Sequence, residues 1–215
     1  MPRQERAVRT RRTILEAAAE VFDELGYDAA SITEIMNRSS TSRGSMYFHF
    51  PSKAELAQSV LAEQTVRLAV PANASKLQEV IDLTALFANR LLTDPILRAG
   101  TRLTLERSSV QFPDSDPYRA WAELVAQKLR SGQSQGEVQS QVAPEETAEL
   151  IVGAFSGIQS FSYVVSNRKD LGRRVSVMWK HLLPAIATPA ALVRLDFAPD
   201  RGARIAGELP VVEAG

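Results

Sequence analysis

Residues 41–56 read TSRGSMYFHFPSKAEL, and the fold turns on how that stretch divides. Small hydroxyl residues and one Arg come first, three aromatics and a His follow in one run, and Pro51 separates them from Ser52-Lys-Ala-Glu55. Thr41 or Ser42 can cap a short helix that carries the aromatics and that Pro51 stops. Ser52 to Glu55 has capping-box spacing and opens a longer helix through Leu56, Val60 and Leu61 to about Leu68. Upstream, Ser31-Ile-Thr-Glu34 repeats the box and opens a helix to about Arg38, with Ser39 and Ser40 as a brief break. Before it, Ile14, Ala18, Val21, Phe22 and Leu25 recur at spacings of three and four, one helix face. Gly26 ends that helix.

A helix, a short turn and a second helix over 31–50 suit a nucleic-acid reader. Ser42, Arg43 and Ser45 give the start of the second helix short donors and one long cation, the composition a helix needs at the floor of a major groove. Gly44 removes a side chain where the helix would crowd DNA. Thr33 and the N-terminus of the preceding helix can hold a phosphate. Tyr47 and His49 can donate to phosphates, Phe48 and Phe50 are expected to turn back into the core, and Lys53 is within phosphate reach. The first twelve residues, MPRQERAVRTRR, add five Arg against one Glu, a basic arm of the kind that reaches phosphates or a minor groove. The only other His is His181, and no acidic cluster stands at ligand spacing around either. No metal site, catalytic constellation or cofactor is therefore expected.

The rest of the chain is also helical by pattern. Ser75 opens a helix to about Leu92. Asp94-Pro95 and Asp116-Pro117 are cap-plus-proline starts. Pro144 opens a long apolar helix to about Ser166, Asp170 another to about Ile186, and one or two short helices are expected in the tail. No strand periodicity appears, so the class is all-α. Two parts are expected: 1–52 as a three-helix DNA-binding domain with a basic N-terminal arm, and 53–215 as a larger helical body joined to it through continuous helix. The 215 residues are 45% hydrophobic and 23% charged, with no net charge and no Cys. That excludes a disulfide scaffold and fits a reducing cytoplasm. No apolar run approaches the ~20 residues of a membrane span, and the N-terminus lacks the apolar core of a signal peptide.

The quoted stretch, with ILEAAAEVFDELGYDAASITEI before it, resembles the TetR family of transcriptional repressors. The match runs over roughly residues 5–68. Ser42 to Phe50 follow the family's recognition-helix pattern position by position or conservatively. The turn departs from it: Ser39-Ser40-Thr41 stands where the family has Ala-Gly-Val, and Ser at a left-handed position costs about 1 kcal/mol against Gly. RQERAVRTRRTILEAAAEVFDELGY, LAEQ, DPILRAGTRLT, YRAWAEL, VGAFSGIQ and HLLPAIATPAALVRLDFAPDRG are similar to the γ-butyrolactone-receptor-like regulators of actinomycetes.

The resemblance implies a cytoplasmic, nucleoid-associated repressor. A homodimer would bind a double-stranded palindromic operator and release it on binding a lactone or butenolide. It places Thr33, Thr41, Ser42, Arg43, Gly44, Ser45, Tyr47, His49 and Lys53 at DNA. It places Trp121 in the ligand pocket, with Gln64 and Ser156 as hydrogen-bonding partners and Leu83, Phe87, Val125, Phe155 and Phe161 as walls. The apolar helices at 145–166 and 170–187 are expected to pair with their copies. Two alternatives stay open: a repressor of the same fold that senses an antibiotic or a biosynthetic intermediate, and, more remotely, a helical-bodied enzyme.

Overall fold

The computed structural model describes residues 3–68, 70–106 and 117–208. They form eleven helices and no strand: α1 (Arg3–Ala29), α2 (Ile32–Ser39), α3 (Arg43–His49), α4 (Lys53–Val66), α5 (Lys76–Arg90), α6 (Pro95–Leu105), α7 (Pro117–Ser134), α8 (Pro144–Ser166), α9 (Leu171–Ile186), α10 (Pro189–Leu192) and α11 (Arg201–Glu208). The cap signals explain most starts. Ser31, Ser42, Ser52 and Ser75 each accept a hydrogen bond from the backbone N–H three residues on. Asp94 accepts from Ile96. Asp116 lies outside the described residues.

The chain forms two compact units, and their boundary differs from the one expected. Among the described residues the head unit takes in 3–67 and also 94–106; the body unit takes in 68, 70–93 and 117–208. Thus α4 and α6 belong with the three N-terminal helices. The head core shows why: Ile14, Ala18, Val21 and Phe22 of α1 meet Ile35, Met46 and Phe50, and Leu56 and Val60 of α4 and Ile96, Ala99 and Leu103 of α6 complete the cluster. α2 and α3, of 8 and 7 residues, leave much of the apolar face of α1 for other helices to cover; each large side chain from α4 and α6 adds roughly 1.5–3 kcal/mol. Leu25, expected in the core face, is exposed.

At the end of α1 the backbone turns at Gly26 (φ 77°, ψ 176°). Any Cβ there would stand 2.5 Å from Glu106 Oε1. Glu106 accepts from the Tyr27 N–H (2.8 Å) and from Arg102 Nε (2.7 Å), and Arg102 also donates to the Asp23 carbonyl. Glycine is required for its positive φ, and a side chain there would also push the ends of Glu106 and Arg102 aside.

In the body unit, Trp179 is fully buried and donates to Thr84 Oγ1 at 2.8 Å. Three polar residues of α5 are also buried. Gln78 pairs with both backbone groups of Asp196, Glu79 accepts from Lys76 and Lys128, and Asp82 takes both arms of the Arg201 guanidinium. They tie α7 and the C-terminal segment to α5.

The long helix α8 corrects one expectation: by length and composition it is apolar enough to cross a membrane. In the fold its apolar residues divide between two faces. Ile151 and Phe155 are buried, and Leu150, Phe161 and Val164 are exposed. The apolar face of α9 (Val175, Met178, Trp179, Leu183) is core. Asp170 does not cap α9 with its side chain. Arg174, Ser162 and Ser166 all donate to its carboxylate and hold it well below the usual carboxylate range.

Candidate nucleic-acid interface and ligand site

Helix α3 buries Met46 and Phe50, one turn apart, and exposes Arg43, Gly44, Tyr47 and Phe48. The expectation that Phe48 would pack inward is wrong. Phe48 is 79% exposed. Positions two apart lie roughly 200° apart around a helix, so Phe48 and Phe50 cannot share its buried side. The Phe48 ring stands edge-on to His49 at 5.0 Å, and the Arg43 guanidinium lies 5.7 Å from the Tyr47 ring centre. A Cβ at Gly44 would meet no atom within 4 Å, so packing within the chain does not demand glycine there. Ser42 and Thr33 are exposed, Ser45 and His49 half-buried.

The turn before α3 forms in spite of its unusual residues. Ser40 takes the left-handed conformation itself (φ 52°, ψ 38°). The flanking hydroxyls of Ser39 and Thr41 lie 2.7 Å apart, and Ser39 also donates to the Ile35 carbonyl at 2.8 Å. Two polar side chains facing the core therefore satisfy each other and the backbone, which makes the pair tolerable where apolar residues would pack. Thr41 is spent in this pair.

Lys53 is drawn inward. Its ammonium donates to the carbonyls of Tyr27 (2.7 Å) and Ala30 (2.8 Å) and lies 4.4 Å from the Tyr27 ring centre. It closes the C-terminal end of α1, where carbonyls lack helix partners; this corrects its expected place on a phosphate. The basic arm is helical, since α1 runs from Arg3. Arg11 stacks over the Phe50 ring at 4.9 Å.

The residues expected around a ligand divide between the units. Gln64 belongs to the head unit, buried on α4 with its side-chain carbonyl against Gly100 of α6. In the body unit Phe87 of α5 stands 6.1 Å from Trp121 of α7 and 5.2 Å from Phe155 of α8, ring centre to ring centre. Phe155 is buried; Phe87 and Trp121 are half-buried although both lie on inward helix faces. Leu83 and Val125 are buried in the same unit. Ser156 donates to the Val152 carbonyl at 2.8 Å, which leaves its oxygen able to accept. Phe161 is not a wall: it is 55% exposed on the far side of α8, under the Arg174 guanidinium at 4.6 Å. Two surface cavities of the body unit, about 330 and 610 Å³, lie elsewhere, beside the segments 197–203 and 190–201.

Residues 14–60 match the bacterial regulatory proteins of the tetR family, and residues 74–188 match the tetracyclin repressor-like C-terminal domain. The chain belongs to the TetR family. Within that family it is 41% identical over 195 residues to the A-factor receptor protein of Streptomyces griseus, covering 91% of this chain and 70% of the relative. It superposes on TylP, a TetR regulator from Streptomyces fradiae, with a TM-score of 0.84 at 40% identity, covering 94% of this chain and 98% of the other. A γ-butyrolactone receptor described as ArpA-like gives 0.76 at 28% identity, with 95% and 100% covered.

This TetR-family member is a DNA-binding repressor and not an enzyme. Its sequence left several supporting residues unread. The buried polar row of α5 was hidden because Gln78, Glu79 and Asp82 are individually ordinary surface residues. Only the spacing of three between two acids on an otherwise apolar face could have marked it.

Proposed function

We propose that this TetR-family repressor is released from its operator by a small amphipathic lactone or butenolide that binds in the body unit against Trp121. The aromatic group Phe87–Trp121–Phe155, half-open on an inward face, carries the reading. Large rings that face inward without closing over one another suit an apolar ligand, and Ser156 supplies at the edge a hydroxyl that can turn from the Val152 carbonyl to a ligand oxygen. The similarity to proteins named for A-factor and γ-butyrolactone supports the chemical class.

At DNA, Ser42, Arg43 and Ser45 meet base edges while Thr33, Tyr47 and His49 meet phosphates. The exposed Phe48 offers apolar contact to a thymine methyl. A homodimer sets two recognition helices about 34 Å apart, one per half-site. Effector binds better to the conformer with lower operator affinity, so it shifts the population toward release by its differential affinity. Because α3, α4 and α6 share one packed core, a displacement of α4 or α6 carries α3 with it.

A mobility-shift titration tests the reading. Alkyl γ-butyrolactones and butenolides are expected to release operator DNA at micromolar concentration or below. Release by an antibiotic or its precursor alone would move the assignment to the sensor of a biosynthetic product.

A further inference from the structure

We propose that the body unit holds a second small-molecule site, separate from the effector site, between α5, α9 and the segment 197–203, and that its ligand is a carboxylate on a short apolar chain.

The cavity there measures about 330 Å³, at the small end of the ~300–1,000 Å³ of ligand pockets. Its lining has two unlike parts. Ile81 of α5 and Val175 and Trp179 of α9 form a buried apolar floor, and Phe197 adds a ring from the C-terminal segment. Asn89, Lys169 and Ser176 supply the polar part. Among the described residues, no hydrogen bond or ion pair occupies the side chain of any of these three. The other two charged residues of the lining are already matched. Asp200 accepts from Arg204 Nε at 3.2 Å, and Arg173 lies 3.5 Å from the Asp170 carboxylate. Lys169 therefore leaves one uncompensated positive charge in the lining, to which the Ser176 hydroxyl and the Asn89 amide add neutral donors. One cation, two neutral donors and an apolar floor match a singly charged anionic head on an apolar chain.

The C-terminal wall is held in place by the fold. Arg201 gives both arms of its guanidinium to Asp82, and Gln78 pairs with both backbone groups of Asp196. Gly202 is pressed against the Ala85 carbonyl with no room for a Cβ. A site whose walls are fixed in this way costs little to order on binding. It is also distinct from the ring group. Ile81, Ala85 and Ala88 turn one face of α5 to this cavity, while Phe87 lies roughly 130° round the helix, toward Trp121 and Phe155. The two sites lie on different sides of α5, so a ligand in one leaves the other open.

Calorimetric titration of the full chain with octanoate and with octanol tests this. Octanoate is expected to bind one molecule per chain and at least about tenfold more tightly than octanol, because only the anion draws a charge-assisted hydrogen bond from Lys169. Lys169→Gln should bring the two probes within about twofold of each other. Ser176→Phe puts a ring into the cavity and should abolish binding of both, while the circular-dichroism spectrum stays that of wild type; Ser176→Leu serves if the Phe variant does not fold. Trp121→Ala should leave octanoate binding as it is. The proposal fails if octanoate does not bind, or if it binds no better than octanol. It fails equally if octanoate binding survives both Ser176 variants, or if Trp121→Ala removes it, since the probe then sits elsewhere.

Discussion

At the residue scale, two cations that look alike in the sequence have opposite duties. Arg43 projects from α3 into solvent beside Tyr47. Lys53 spends its three donors on the Tyr27, Asp28 and Ala30 carbonyls. Hydrogen bonds from a charged donor contribute more than neutral ones, so Lys53→Met should destabilise the head by about 1–2 kcal/mol in urea unfolding. The salt dependence of operator affinity should stay as it is. Arg43→Ala should do the reverse: unchanged stability, operator affinity at least about tenfold weaker, and a salt slope smaller by about one. Equal effects on stability would remove the distinction. The sequence marked this stretch as a helix-turn-helix, because capping residues, Arg43 and the aromatic run are local signals. It did not show which ring or cation turns inward. Lys53 is captured by carbonyls 23 to 26 residues away, and Phe48 was misjudged by reading alternation where the helix turns by ~100° per residue.

At the scale of elements, helix starts and stops were legible for the same local reason: Ser, Asp and Pro act on their own backbone. What a capping residue does with its remaining capacity was not legible. Asp170 starts α9 but serves Ser162, Ser166 and Arg174, and the sequence gives no sign of it. Glu79 is the clearest case with a measurable consequence. Burial alone would raise its carboxyl, but hydrogen bonds from Lys128, Lys76 and the Asn73 N–H outweigh that and lower it to about 2. The folded value lies below the unfolded one near 4.5. Its stabilisation is therefore full above about pH 4.5 and is lost as pH falls toward 2. Glu79→Gln should lower stability at neutral pH by about 2 kcal/mol, since Lys76 and Lys128 can turn partly to water. It should also flatten the fall in stability between pH 4.5 and 2. Denaturant unfolding of both proteins across that range checks it, and parallel curves would show that the Lys–Glu–Lys group carries no pH-dependent stability.

At the scale of the whole molecule, the division between units is what the sequence hid most. Motif boundaries suggest a head that ends with α3. The hydrophobic faces of α4 and α6 place them in the head core, and α6 is separated from it by a whole body helix in sequence. No local signal carries that pairing. The outer face of α8 makes a prediction at this scale. Leu150, Gly153, Ala154, Gly157, Phe161 and Val164 fall on one stripe at steps of three, four and seven. A Cβ at Gly153 or Gly157 would meet nothing within 4 Å, and Val164 is 82% exposed. A two-fold dimer seats such a stripe against its own copy, and every substitution on it acts twice. Val164 makes no contact that the fold of its own chain needs, so Val164→Asp should leave the circular-dichroism melt within ~0.5 kcal/mol of wild type. Light scattering should then report the mass of one chain, where the wild type gives two. Operator affinity should fall with the dimer, because one head reads one half-site. A Val164→Asp protein that still scatters as a dimer would place the two-fold contact on another face.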